Sequence, residues 1–274
     1  MASADGYRSG DGLSVALGDD GVLRFVLDRP EKRNALDDGM VAGLIEAIDL
    51  AGRDETVRAI LITGAGDHFC GGFDIVGRNA WSSEKKPRAG SIQRRLPSQA
   101  HALIPLMLSV QVPIVAAVQG WAAGIGLHLV LASDFAVVAE DAMLWEPFSE
   151  RGFTPDSGGT WLLPRRVGEV RARELLLLGR TLSGTEAAVW GMVHRARPRE
   201  AVNAEVDRLL GQLASGPTVS LGLTKWLLHA GAASGVDEQL RNEAFAMELS
   251  SRSEDFREGL TAFKEKRSPR FSGR

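Results

Sequence analysis

Residues 118–141 read VQGWAAGIGLHLVLASDFAVVAED. The stretch continues an apolar run, PIVAAVQG (113–120), passes through a glycine-rich turn into GLHLVL, and emerges in a second apolar run, FAVVAE (135–140). Short unbroken apolar runs of this kind are expected of strands buried on both faces. Upstream, VRAILITG (57–64) has the same character, and a helical stretch near residues 98–110 separates it from the next strand. Strands that alternate with helices imply a layered βα core with a largely parallel sheet.

At the N-terminal end, LSVAL, the turn GDDG and VLRFVLDRP read as a hairpin closed by Pro30. A helix follows, with Asp37 placed to cap it and Met40, Leu44, Ile45 and Ile48 at helical spacing. From about residue 158 the pattern changes: VRARELLLLG, GTEAAVWG, REAVNAEVDRLLGQLA, TVSLGLTKWLLHAG and EDFREGLTAFKEKR all read as helices, with no comparable strand. The expected organisation is an α/β core over residues 1–197 and a helical C-terminal region over 198–274, with Pro198 near the boundary. Residues 76–97 are the most polar internal stretch and read as a surface loop, or as a mobile wall over a pocket.

Composition narrows the function. The chain has 274 residues, 44% of them hydrophobic and 24% charged, as in ordinary globular proteins. A net charge of −3 with no basic stripe outside the tail FKEKRSPRFSGR argues against a nucleic-acid partner. Cys70 is the single cysteine, so intrachain disulfides and cysteine-based zinc sites are excluded and a reducing cytoplasm fits. No apolar run approaches the roughly 20 residues that span a bilayer, and the N-terminus lacks the pattern of a signal peptide.

Two glycine turns stand out, ITGAGDHFCGGFDI (62–75) and VQGWAAGIGLHLV (118–130). Neither is a nucleotide motif: the first has Phe69 where G-x-G-x-x-G needs its third glycine. Both can present backbone N–H groups, because glycine admits conformations that leave amides open to a ligand. Two such amides converging on one carbonyl oxygen make an oxyanion hole, each donor worth about 3 kcal/mol of barrier lowering.

LDRPEKRNALD, HFCGGFDI, VQGWAAGIGLHLVLASDFAVVAED and GFTPDSGGTWLLPRRVG occur in the order and approximate spacing of the crotonase superfamily, the enoyl-CoA hydratase/isomerase family. EGLTAFKEKRSPRF resembles its C-terminal signature, so the resemblance covers about residues 12–271. It implies a spiral core of ββα units rather than the doubly wound sheet that periodicity alone allows, followed by a helical trimerisation region. It also implies a homotrimer or a dimer of trimers, an acyl-CoA thioester as substrate, and no cofactor or metal beyond the coenzyme A of that substrate. The Phe73 and Ile125 amides would form the oxyanion hole. Arg33, Asn34, Ala35 and Leu36 resemble the segment that holds the nucleotide end of CoA. Phe263 and Lys266 resemble the aromatic and basic pair that meets adenine and phosphates, often from a neighbouring subunit.

The chain departs from the family at its acids. A hydratase of this superfamily uses two glutamates around one water. Alignment by motif places His128 at the first position and Phe148 at the second. Glu146 and Glu150 flank Phe148 as possible acid-base residues that a shifted loop could bring in, and in an extended segment both would share its side. Asp156, in PDSGGT, stands where epoxyphenylacetyl-CoA isomerase-like members carry an acid-base aspartate; capping of the next helix is its competing role. Ser157 reads as a capping or turn residue. His128, near a helix N-terminus, is expected to stay neutral, either as a packed core group or as a secondary acid-base residue. Trp121, Trp145 and Trp161 cluster around these motifs and fit core packing or a pocket for a bulky acyl group. The expected chemistry is double-bond isomerisation through a thioester enolate with Asp156 moving the proton. The alternatives are hydration by a non-standard acid-base pair and acyl-CoA binding without catalysis.

Overall fold

The computed structural model describes residues 6–75 and 88–274. The polar stretch expected over 76–97 therefore lies partly outside the described residues. Its remainder forms the short helix α2 (Ser91–Arg95) and one 3-10 turn.

The hairpin is present as β1 (Leu13–Leu17) and β2 (Val22–Leu27), antiparallel with Val15 opposite Phe25. Gly21, at φ 74°, closes the four-residue turn. Helix α1 (Asp38–Ala51) starts where expected: the Asp37 carboxylate accepts the Met40 N–H at 2.9 Å, and Met40, Leu44 and Ile48 are buried. The three apolar runs become β3 (Ala59–Gly64), β4 (Ile114–Val118) and β6 (Phe135–Ala139), which pair in parallel as consecutive neighbours. Every residue of β4 is buried, whereas β1, at the sheet edge, alternates between buried and exposed. That contrast explains why one reads as an unbroken apolar run and the other as a period-two pattern.

With β5 at Trp121–Ala123, β7 at Met143–Trp145, β8 at Leu182–Ser183 and β9 at Arg195–Arg197, the main sheet has the order β1-β2-β3-β4-β6-β9 and a second sheet has the order β5-β7-β8. Strands β5 (Trp121–Ala123) and β7 (Met143–Trp145) each follow a main-sheet strand after a sharp bend. They lead into α4 (Ile125–Ala132) and, after a longer loop, α5 (Gly159–Leu178). Cys70 makes an isolated parallel bridge to Ala122, which gives the segment after β3 the same course. Repetition of main strand, cross strand and helix is the ββα spiral, and it replaces the doubly wound arrangement.

The expectation that no strand follows residue 158 is corrected by β8 (Leu182–Ser183) and β9 (Arg195–Arg197). Both are too short to carry a periodic signal, and β9 pairs in parallel with β6. Helix α3 (Ala100–Ser109) packs on α1. Helix α6 (Gly184–Val189) opens with a Ser183–Glu186 capping box. Helix α7 (Val202–Ala214) lies on β3, β4 and β6. Helices α8 (Thr218–Gly231), α9 (Val236–Ser250) and α10 (Glu254–Glu265) follow, and α8 packs on α9.

Candidate active site

The two glycine turns meet. Gly72 (φ 109°) and Gly124 (φ 51°) both adopt conformations that side chains disfavour, and a Cβ on Gly72 would lie 3.3 Å from the Ala123 carbonyl oxygen. The first turn is stitched to the RNAL segment: the Gly71 N–H donates to Arg33, the Leu36 N–H to Gly72, and the Asp74 N–H to Leu36. These last two bonds flank Phe73 as in a parallel bridge, so its own N–H points to the opposite side of its strand from Leu36. Ile125 is the first residue of α4 and has no intrahelical acceptor for its N–H. Phe73 and Ile125 thus lie on two adjacent glycine turns.

Asn34 is fully buried, its amide donates to the Ala65 and His68 carbonyls, and its side-chain oxygen accepts the Arg29 N–H. Its side chain is therefore a strut for the segment, and a ligand there would meet backbone, Ala35 or the exposed Arg33. Arg33 lies 6.0 Å from the Trp121 ring centre. His68, which sequence reasoning passed over, joins the turns by accepting the Trp121 N–H at 3.3 Å. Burial, and then the Arg33 charge, hold its imidazole below the ordinary value, which leaves that nitrogen free to accept. Cys70 is buried beneath the first turn, where desolvation pushes its thiol up to about 12.

All eight residues of α4 are buried, His128 among them. A buried imidazole requires partners on both nitrogens. It has them: Nδ1 lies 2.7 Å from Ser157 Oγ and Nε2 lies 3.0 Å from Glu146 Oε1. Ser157 Oγ in turn lies 3.2 Å from Asp156 Oδ1. His128, Glu146 and Ser157 are at most 2% exposed, while Asp156 is half-buried. The His101 Nε2–H reaches from α3 to the Asp156 carbonyl at 2.8 Å and fixes the loop.

Asp156 and Ser157 do not cap α5. Its N-cap is Gly158, in the left-handed region at φ 99°, with no side-chain cap. Phe148 is buried, stacks on His128 at 6.0 Å and 10°, and meets Phe153 edge-on. Its ring tip lies 3.6 Å from where a Cβ on Gly124 would be, so an aromatic wall stands beside the second turn. The shared side expected for Glu146 and Glu150 is corrected: Glu146 points inward beside Phe148, but the chain turns at Pro147–Arg151 and leaves Glu150 exposed. Trp121 and Trp145 pack edge-on at 5.7 Å, whereas Trp161 is half-exposed beneath Arg165 and belongs to a different surface.

Ser157 is thus the residue whose role local sequence undervalued. Its partner His128 is 29 positions away, and Glu146 lies 18 positions from His128, separations that no local spacing encodes. Phe263, at 85% exposure, and Lys266, the left-handed C-cap of α10, stand on the outer C-terminal helix. Among the described residues no cluster of three or more metal-binding side chains occurs, and no helix is long and apolar enough to cross a membrane.

Comparison with known proteins agrees with this architecture. The family model described as enoyl-CoA hydratase/isomerase matches residues 18–274. The 1,2-epoxyphenylacetyl-CoA isomerase of Escherichia coli is 39% identical over 254 residues, 93% of this chain and 96% of its own. A crotonyl-CoA hydratase of Syntrophomonas wolfei is 30% identical over 246 residues, 89% of this chain and 92% of its own. The crystal structure of an enoyl-CoA hydratase from Bacillus anthracis superposes with a TM-score of 0.88 at 29% identity, covering 96% of this chain and all of the other. On its motifs, its spiral fold and these matches, the chain belongs to the enoyl-CoA hydratase/isomerase family.

Proposed function

We propose that this enzyme isomerises the double bond of an acyl-CoA thioester, with Asp156 as the group that moves the proton. One observation carries the reading. The two positions that hold glutamates in a hydratase are occupied here by a buried histidine and a buried phenylalanine, while Asp156 is the partly exposed carboxylate of the cluster. The Phe73 and Ile125 amides polarise the thioester carbonyl and stabilise the enolate formed when Asp156 removes the α-proton. Return of that proton to the γ-carbon moves the double bond, and the carboxylate is regenerated. One carboxylate suffices for this cycle, whereas addition of water needs a second group to activate the water.

Arg33, Ala35 and the backbone of Asn34 and Leu36 hold the nucleotide end of the substrate. Phe263 and Lys266 meet its adenine and phosphates from a neighbouring subunit of a homotrimer or a dimer of trimers. The exposed apolar side chains of the C-terminal helices support that assembly, Leu240, Phe245, Leu260 and Phe263 among them. The enzyme needs no cofactor beyond the coenzyme A of its substrate, and it works in the reducing cytoplasm that its single cysteine fits.

Mass spectrometry of enoyl-CoA thioesters incubated in light and heavy water, beside Asp156→Asn, tests the reading. Unchanged mass in light water, with deuterium uptake or a moved double bond in heavy water that the variant loses, is the expected result. Gain of one water would make the chain a hydratase like several of its relatives and return attention to His128 and Glu146.

A further inference from the structure

The contacts that join Asp156, Ser157, His128 and Glu146 are three, and each needs one hydrogen between its two heavy atoms. Serine brings one and a neutral imidazole brings one. With both carboxylates ionised, the third hydrogen is missing and two acceptors face each other at one contact of a line whose other three residues are buried, which is costly. We propose that the cluster holds a third proton, shared along the line Asp156–Ser157–His128–Glu146, so that the buried Glu146 end stores a proton on behalf of Asp156. The functional half of this proposal rests on the reading of Asp156 as the acid-base group.

Two arrangements satisfy every contact. In the first, Asp156 is ionised and accepts the Ser157 O–H, Ser157 accepts the His128 Nδ1–H, and the third hydrogen lies between His128 Nε2 and Glu146 Oε1. In the second, Asp156 carries a proton and donates it to Ser157 Oγ, Ser157 donates to His128 Nδ1, and His128 Nε2–H donates to an ionised Glu146. Each hydrogen moves by one heavy atom between the two, the total stays constant, and no solvent proton is needed. Asp156 is a base in the first arrangement and an acid in the second. Ser157, His128 and Glu146 are accordingly positioning and relay residues: they touch Asp156 or one another, not the substrate.

The surroundings favour the first arrangement at rest. Glu146 Oε2 is buried and has no partner among the described residues, and an unpartnered oxygen is less costly on a neutral carboxyl than on a carboxylate. The site is also shaped for the pair: a Cβ on Gly159 would lie 2.4 Å from His128 Nε2 and 3.2 Å from Glu146 Oε1, so the helix start admits the contact only as glycine.

Nitrogen NMR of protein labelled at its histidine rings reads the arrangement directly, with the His128 signals assigned by their loss in His128→Gln. In the wild type, Nδ1 carries a hydrogen. In Asp156→Ala and in Ser157→Ala the third proton is no longer required, so the ring switches to Nε2–H with a bare Nδ1. A bare Nδ1 in the wild type, or a ring unchanged in both variants, overturns the proposal. In the assay of the thioester panel, Ser157→Ala and Glu146→Gln lower kcat roughly tenfold or more with KM held within about twofold. Loss confined to KM would remove the functional half. Full activity of Asp156→Asn would instead sink the acid-base reading and leave the NMR result standing, so the two failures are told apart.

Discussion

Gly159 carries the tightest steric constraint on the cluster, and it does so by lacking a side chain. Its φ is an ordinary one, so an alanine there would suffer no backbone strain and would raise helix propensity. The new methyl would nevertheless sit 2.4 Å from His128 Nε2, and neither the imidazole nor Glu146 has space to retreat, both being at most 1% exposed. Overpacking of this kind costs about 1–3 kcal/mol. Gly159→Ala should therefore lower the melting temperature and reduce kcat together, whereas Gly211→Ala, at a helical glycine with open space around it, should raise the melting temperature slightly and leave kcat unchanged. Thermal unfolding of the two variants side by side checks this, and equal melting temperatures would show that the His128–Glu146 contact is looser than its geometry.

The C-terminal helix α10 and the tail that folds back on it show how an element is closed by charge. The buried Asp255 accepts the Ser272 and Gly273 N–H groups at 2.7 and 2.9 Å. Glu258 accepts from Arg267 and from the Arg270 N–H, and these bonds, the arginine first, hold its carboxyl down to about 2. A carboxyl whose folded value lies below its unfolded one stabilises the fold above the unfolded value, near about 4, and loses that contribution as pH falls toward 2. Docking of residues 268–274 should accordingly weaken across that interval, and Asp255→Ala should release the same residues at neutral pH. Narrowing of their amide NMR signals is the readout; signals unmoved by acid would mean that other contacts hold the tail. The elements themselves were largely legible. Asp37 capped its helix and three apolar runs became adjacent strands, because these depend on local propensity and burial. The two-residue β8 and three-residue β9 were not, since their pairing is imposed by strands far away in sequence. The same limit hid part of the candidate site: motif order singled out Phe73, Ile125 and Asp156 as candidates, but the Ser157–His128–Glu146 contacts exist only once α4, the Glu146 loop and the start of α5 are packed together.

For the whole molecule, the features that point beyond one chain are the exposed apolar side chains of its outer helices. Phe263 is 85% exposed, Leu240 57%, Phe245 61% and Leu260 48%, all on the two consecutive helices α9 and α10. In the proposed assembly Phe263 of one subunit closes the ligand site of the next, so each site draws on two chains. Phe263→Ala should then raise KM with little change in kcat, because a contact remote from the reacting carbon binds ground and transition states alike. Asp156→Asn should abolish kcat while leaving its own Phe263 intact. Hybrids refolded from a mixture of the two variants contain sites with Asp156 from one chain and Phe263 from its neighbour. Those sites should recover the wild-type KM, although neither parent homo-oligomer shows it together with activity. If Phe263 served only the site of its own chain, every Asp156-bearing site in the mixture would keep the raised KM. Activity measured against subunit ratio therefore decides whether the site is built within a chain or between chains.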